Sequence, residues 1–159
     1  MGTGKTSVGR LIASKLGHDF IDTDQLVVQK SGMEITDIFR ERGEAYFRDE
    51  ESDALKSLQG RSKLVVATGG GIIVRPENVA FLKQLGFVAW LTATRDVIYS
   101  RVSLNDKRPL LQTDDPRRTI DDLLDSRKPL YSEAAQFTID SSILPHPRIA
   151  DMIICAARA

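Results

Sequence analysis

Residues 1–10 read MGTGKTSVGR. Gly4, Lys5 and Thr6 fit the right-hand end of the phosphate-cradling pattern G-x-x-x-x-G-K-[ST], whose first glycine would fall two positions before Met1. Each part suits an anion. The glycines and their neighbours Gly2, Thr3, Gly4 and Ser7 let backbone N–H groups approach phosphate oxygens, and the helix that follows presents its positive end. Lys5 neutralises charge on the β- and γ-phosphates of a nucleotide such as ATP, and the Thr6 hydroxyl is a ligand for Mg2+. An ordinary loop-to-helix turn is the competing reading of GTGKT alone. The apolar face that starts immediately afterwards, Val8, Leu11, Ile12 and Leu16, with Gly17 as its stop, favours the phosphate site and predicts a helix from about Lys5 to Leu16. A phosphate loop of this kind also needs a strand running into it. No β-rich run precedes Gly2, so the strand and the first glycine are expected upstream of Met1.

Working outward, short β-rich runs recur at Phe20-Ile21, Leu64–Ala67, Phe87–Leu91 and Phe137–Ile139, separated by stretches of helical period. That alternation predicts an α/β fold with a parallel sheet. Ile35, Ile38 and Phe39 form a short apolar helix face before Gly43, and Phe47, Ala54, Leu55 and Leu58 a further one after it. Helices are also expected from Pro76, from a Thr94 cap, from a Thr119 cap and from Arg148 to about Ala157. Between them, SLNDKRPLLQTDD loses its period and gathers turn formers, which predicts a lid loop over about 104–116.

The chain of 159 residues has the size of one domain, read here as 1–159 with a substrate-binding helical segment over about 24–59. Lys+Arg and Asp+Glu are 22 each, so no overall field draws in nucleic acid or an anionic membrane, and any anion site is local. The single cysteine, Cys155, cannot close an internal disulfide, no stretch approaches the ~20 apolar residues of a membrane span, and no signal-peptide layout opens the sequence. The expectation is a monomer in a reducing cytoplasm.

Four further features share the chemistry of one small substrate. Phe20-Ile21-Asp22-Thr23-Asp24 sets two carboxylates at the carboxyl end of a strand, where α/β proteins place their sites. Asp24 could merely cap a helix starting at Gln25. Beside a phosphate loop, Asp22 is instead read as organising metal-bound water and Asp24 as orienting or deprotonating an acceptor hydroxyl. Arg48 has Glu51 three residues on, which alone would be a surface ion pair of little worth, while Arg127 falls on the apolar face of its helix, where a guanidinium wants an anion. Together the arginines could fork onto a carboxylate. Thr68-Gly69-Gly70-Gly71 follows a β-rich run, and its N–H groups are natural donors to an anion or hydroxyl unless the stretch is only a flexible turn. Arg108, in Lys107–Leu111, could bring a cation over a transferring phosphate, with Arg101 one helix earlier. His18 and His146 lack metal-ligand spacing and are read as surface residues.

In content, order and spacing, GTGKTSVGR, IDTD, DIFRERGEAYFRDEE, TGGGI, KRPLL and SRKPLYSE resemble the shikimate kinases across essentially the whole chain. The resemblance implies a three-layer P-loop kinase fold with a parallel sheet in the order 2-3-1-4-5, whose central first strand is the one not encoded here. It implies ATP-dependent phosphorylation of the 3-hydroxyl of shikimate, in the route to chorismate and the aromatic amino acids. By match to the family motifs, Gly2 to Ser7 hold ATP, and Thr6 and Asp22 serve Mg2+. Asp24, with Lys5 and Arg108, is catalytic. Arg48 and Arg127 take the shikimate carboxylate, Gly69, Gly70 and Gly71 add backbone contacts, and Phe39 and Phe47 wall the ring. Arg101 lies by the adenine, with Pro145 or Pro147 near it. A rival expectation is a truncated, non-catalytic relative that binds a shikimate-like acid or a partner without transferring phosphate.

Overall fold

The computed structural model describes residues 2–102 and 115–159. The first helix, α1 (Lys5–Leu16), has the bounds its apolar spacing predicts and ends on Gly17 in the left-handed region, φ 63°. The chain continues as β1 (Asp19–Asp22), α2 (Thr23–Ser31), α3 (Ile35–Lys56), β2 (Leu64–Ala67), a 3-10 turn at Ile72–Val74, α4 (Pro76–Leu85), β3 (Ala89–Thr92), α5 (Arg95–Val102), α6 (Pro116–Ala134), β4 (Phe137–Asp140) and α7 (His146–Arg158). Strands and helices alternate, and both strand pairings, β1 with β2 and β3 with β4, are parallel. These are the two outer pairs of the expected order 2-3-1-4-5, and among the described residues no strand occupies the central place.

Helices cover both faces, giving three layers. On one face α1 and α7 pack Val8, Ile12, Ile149 and Ile153 against Leu91 and Ile139. On the other, Leu55 of α3, Ile72 and Ile73 of the 3-10 turn, Val79 of α4 and Ala134 of α6 form a second cluster. α2 and α3 join through Val27, Ile38, Phe47 and Ala54, and α5 meets α6 through Ile98, Val102 and Ile120. A cavity of about 560 Å³ is lined on one side by Leu64 and Val66 of β2 and on the other by Ala89–Thr92 of β3, with Lys5 and Gly69 among its polar lining.

Several boundaries differ from the sequence expectation. The third strand starts at Ala89 instead of Phe87, because the Val88 carbonyl already accepts from the N–H groups of both Gln136 and Phe137, which breaks the regular ladder there. α6 starts at Pro116, not at a Thr119 cap, with Asp115 accepting from Arg118 N–H. Asp-Pro is itself a cap-and-first-turn signal. α7 likewise begins two residues earlier than Arg148, at His146, with Pro147 in its first turn.

The two apolar helix faces expected on either side of Gly43 are two helical halves of α3 that meet at a kink at Gly43, where the backbone is not helical. Its φ of 82° and ψ of 170° lie in a region only glycine occupies without strain. The corner lets Phe39 and Phe47 meet with ring centroids 4.9 Å apart. Gly43→Ala is expected to lower stability by about 1–3 kcal/mol, read as a shift of the urea midpoint with unchanged slope.

Candidate active site

The loop before α1 turns through Gly4, at φ 84° in the left-handed region, so that α1 opens directly at Lys5. Lys5 is half-buried and lines the same cavity as Thr3, Gly69 and Gly70, while Thr6 and Ser7 are exposed. Asp22 joins this loop to the acidic stretch: its Oδ2 accepts from Thr6 Oγ1 at 3.0 Å and its Oδ1 accepts from Asp24 N–H at 3.1 Å. Asp22, not Asp24, is therefore the helix cap, and Asp24 lies inside the first turn of α2. That frees the Asp24 side chain from the capping role that competed with the site reading.

Arg101 donates from Nη1 to the Gly2 carbonyl at 3.1 Å and from Nη2 to the Ser141 carbonyl at 3.2 Å, tying α5 to both the phosphate loop and the segment after β4. His146 is half-buried, not a surface residue: a Cβ built on Gly4 would lie 3.0 Å from its Nε2. The reason is that α7 begins at this residue, which sets the imidazole against the loop.

The second half of the site surrounds the glycine turn. A Cβ on Gly69 would fall 2.5 Å from Asp24 Oδ1 and 2.6 Å from Glu51 Oε1, and one on Gly71 only 2.0 Å from Arg48 Nη1. At these positions the main chain passes directly against the charged side chains of Asp24, Glu51 and Arg48, which leaves no room for a Cβ without displacing them. Gly70 turns its carbonyl towards α6, where it accepts from Tyr131 Oη at 2.5 Å and from Arg127 Nη1 at 3.4 Å. Thr23 Oγ1 accepts the Gly69 N–H at 3.2 Å. Asp24, Arg48, Gly69, Gly70, Gly71 and Arg127, far apart in sequence, thus converge, with Phe39 and Phe47 in tilted ring contact beside Arg48, whose guanidinium lies 5.2 Å from the Phe47 ring centre.

The Arg48–Glu51 pair is not the surface contact that its spacing allows. Nη1 donates to Glu51 Oε2 at 2.7 Å with the two side chains only 8% and 1% exposed, and Nη2 donates to Glu44 at 2.8 Å. Burial would push the guanidinium down, and Glu51 and Glu44 hold it charged. Burial likewise pushes the Glu51 carboxyl up from its ordinary range, against the pull of Arg48, and Asp24 adds to the rise. Glu51 Oε1 has no hydrogen-bond partner among the described residues. Sequence reasoning missed Glu51 and Tyr131. Glu51 was in view as the partner of Arg48, but only its burial gives it weight. Tyr131 stands at i+4 from Arg127, a spacing that would have placed it on the same face. Glu51→Gln is expected to destabilise the fold by about 1–3 kcal/mol, the worth of a charged hydrogen bond at a buried site, measured by thermal or denaturant unfolding.

Arg108 and its neighbours Lys107 to Leu111 lie outside the described residues, as does the lid expectation except for its last two positions. Among the described residues no group of three or more His, Cys, Asp and Glu is placed to hold a metal. The oxygen pair Thr6–Asp22 nevertheless has the donor chemistry that Mg2+ prefers, since this ion keeps several waters and takes one or two protein oxygens beside phosphates. No described helix is long and apolar enough to cross a membrane.

Two anion-binding places side by side at the carboxyl ends of parallel strands, one shaped for phosphates and one for a small acid, are what a P-loop small-molecule kinase requires. Comparison with known proteins narrows the class. The shikimate kinase family profile matches residues 1–158. The shikimate kinase of Thermodesulfovibrio yellowstonii is 46% identical over 154 residues, covering 97% of this chain and 88% of that protein. That of Trichormus variabilis is 48% identical over 134 residues, covering 84% and 74%. A solved structure, shikimate kinase from Acinetobacter baumannii in complex with shikimate, matches with a TM-score of 0.93 at 41% identity, covering 97% of this chain and 86% of that one. The chain belongs to the shikimate kinase family.

Proposed function

We propose that this chain, a kinase that phosphorylates shikimate, holds the acid between Arg48, Arg127, Asp24 and the Gly69–Gly71 turn, and holds ATP on the loop Gly2–Ser7. The observation that carries the reading is that Arg48 and Arg127 reach adjacent residues of one turn, Gly71 and Gly70, beside two carboxylates. Arg127 Nη1 reaches the turn at 3.4 Å, at the long end for a hydrogen bond, and a guanidinium has five N–H donors, so it has further ones to offer a carboxylate. The fork geometry of guanidinium suits that anion.

Phosphoryl transfer asks a protein mainly for positioning and charge stabilisation. Arg48 and Arg127 orient the ring by its carboxylate, Gly70 and Gly71 add backbone donors, and Phe39 and Phe47 limit its tilt. Asp24 accepts the proton of the 3-hydroxyl as that oxygen bonds to the γ-phosphorus and the bond to ADP breaks, giving shikimate 3-phosphate. Lys5 and, from outside the described residues, Arg108 stabilise charge on the transferring group. Thr6 and Asp22 would hold Mg2+, which when bound neutralises the β- and γ-phosphate oxygens. Arg101, through its hold on Gly2 and Ser141, keeps the adenine side in place. The segment 24–59 forms the acceptor-binding part of a single domain. A location in the cytoplasm, where a lone thiol such as Cys155 stays reduced, belongs to the same proposal.

The test is coupled ADP release with ATP and a panel of acceptors. Shikimate should support turnover, and gluconate and a nucleoside monophosphate should not. No turnover with shikimate, or equal turnover with gluconate, would overturn the reading. No observation favours the non-catalytic alternative.

A further inference from the structure

Tyr131 touches the acceptor site without having a task in the reaction as derived. It lies one turn beyond Arg127 on α6, and its O–H donates to the Gly70 carbonyl at 2.5 Å, the same oxygen that Arg127 reaches at 3.4 Å. Its ring is stacked on Trp90 of β3, with centroids 5.4 Å apart and planes at 22°. The ring is thus fixed by the sheet while the hydroxyl donates to one carbonyl, with the Arg127 guanidinium beside it. Burial pushes the phenol up from its ordinary range, so the proton that this bond needs stays in place at neutral pH.

The contact fixes more than a carbonyl. The peptide linking Gly70 and Gly71 is trans, as are all the others among the described residues, and a trans planar peptide points its C=O and the following N–H in opposite directions. With the Gly70 oxygen drawn to α6, the Gly71 N–H is turned away from α6. No acceptor among the described residues takes that N–H. Gly71 itself packs against the Arg48 guanidinium, and Gly69 against Asp24 and Glu51. Without a side chain at any of the three glycines, the backbone here has wide freedom, and a donor that is to meet a ligand must be held by something else.

We propose that Tyr131 is a positioning residue for the acceptor acid: its O–H, by anchoring the Gly70 carbonyl on the α6 side, leaves the Gly71 N–H to the part of the ligand that lies on the Arg48 and Asp24 side of the turn. The inference rests on the acceptor site proposed above. A packing role alone would be served equally well by phenylalanine, which keeps the stack on Trp90 and loses only the hydrogen bond.

Steady-state kinetics of the full chain and of Tyr131→Phe separate the two roles. The expected result is a rise of about tenfold in the KM for shikimate, the size of one hydrogen bond, with the KM for ATP essentially unchanged and the unfolding midpoint lowered only slightly. Trp90→Phe, which loosens the stack and keeps the hydroxyl, should lower the midpoint and leave the shikimate KM within about twofold. In the unmodified protein, the Gly71 amide should gain protection from hydrogen exchange when shikimate is added, a readout that holds even if Tyr131→Phe does not fold. An unchanged shikimate KM in Tyr131→Phe, an equal rise in both KM values, or a Gly71 amide indifferent to shikimate would overturn the inference while leaving the function standing. An unmodified chain that neither binds nor turns over shikimate would overturn both.

Discussion

Asp24→Asn is expected to lower kcat for shikimate by about 10²–10⁴-fold while leaving the KM within a few-fold, because an amide keeps the hydrogen-bonding shape of the carboxylate and loses the ability to take a proton. The structure gives a reason for the split. The helix-capping work is done by Asp22, whose Oδ1 accepts the Asp24 N–H, so the local backbone does not depend on the Asp24 charge. Asp24 Oδ1 sits against Gly69, a buried glycine just past the carboxyl end of β2. The check is a full kinetic comparison with the unfolding midpoint measured on the same samples. A proportional rise in KM with kcat intact would assign Asp24 to binding alone.

Arg127→Ala carries the other large expected effect, a rise of about 30–1000-fold in the KM for shikimate, equivalent to about 2–4 kcal/mol, for loss of one partner in a partly desolvated charge pair. Stability should change less than binding, since the hydrogen bond from its guanidinium to the Gly70 carbonyl is long at 3.4 Å and Tyr131 holds the same oxygen more closely. Arg127→Lys should recover only part of the loss, because a lysine supplies the charge without the fork. Arg48 is the less informative member to mutate. It is braced by Glu51 and Glu44, and its removal would strand a buried Glu51 as well as the ligand.

The sequence carried the fold class clearly because its signals were local and periodic. The spacing of Val8, Leu11, Ile12 and Leu16 needed no tertiary information to define α1, and the β-rich runs sit within two residues of the strands observed. The helix starts at Asp115-Pro116 and at His146 carry cap and first-turn chemistry, and these local signals outweigh those of Thr119 and Arg148. In the site, the same limit applies more strongly. Sequence spacing shows that Glu51 can reach Arg48, and it cannot show that both are buried, which turns a contact of little worth into a braced guanidinium. Tyr131 has no motif of its own. Its position matters only because α6 passes over Gly70, a fact of packing between segments separated by 61 residues.

The crowding along Gly69–Gly71 bears on how acceptor preference could be altered by design or by drift. Any methyl group at the first of these positions would collide with two carboxylates, and at the last with a guanidinium. A side chain at either position would therefore displace these charged ends before it reshaped the turn itself. Room for a differently shaped acid is easier to find in the aromatic pair flanking the helix corner, Phe39 and Phe47, where exchange of one ring for another keeps both the apolar packing and an aromatic face for the Arg48 guanidinium.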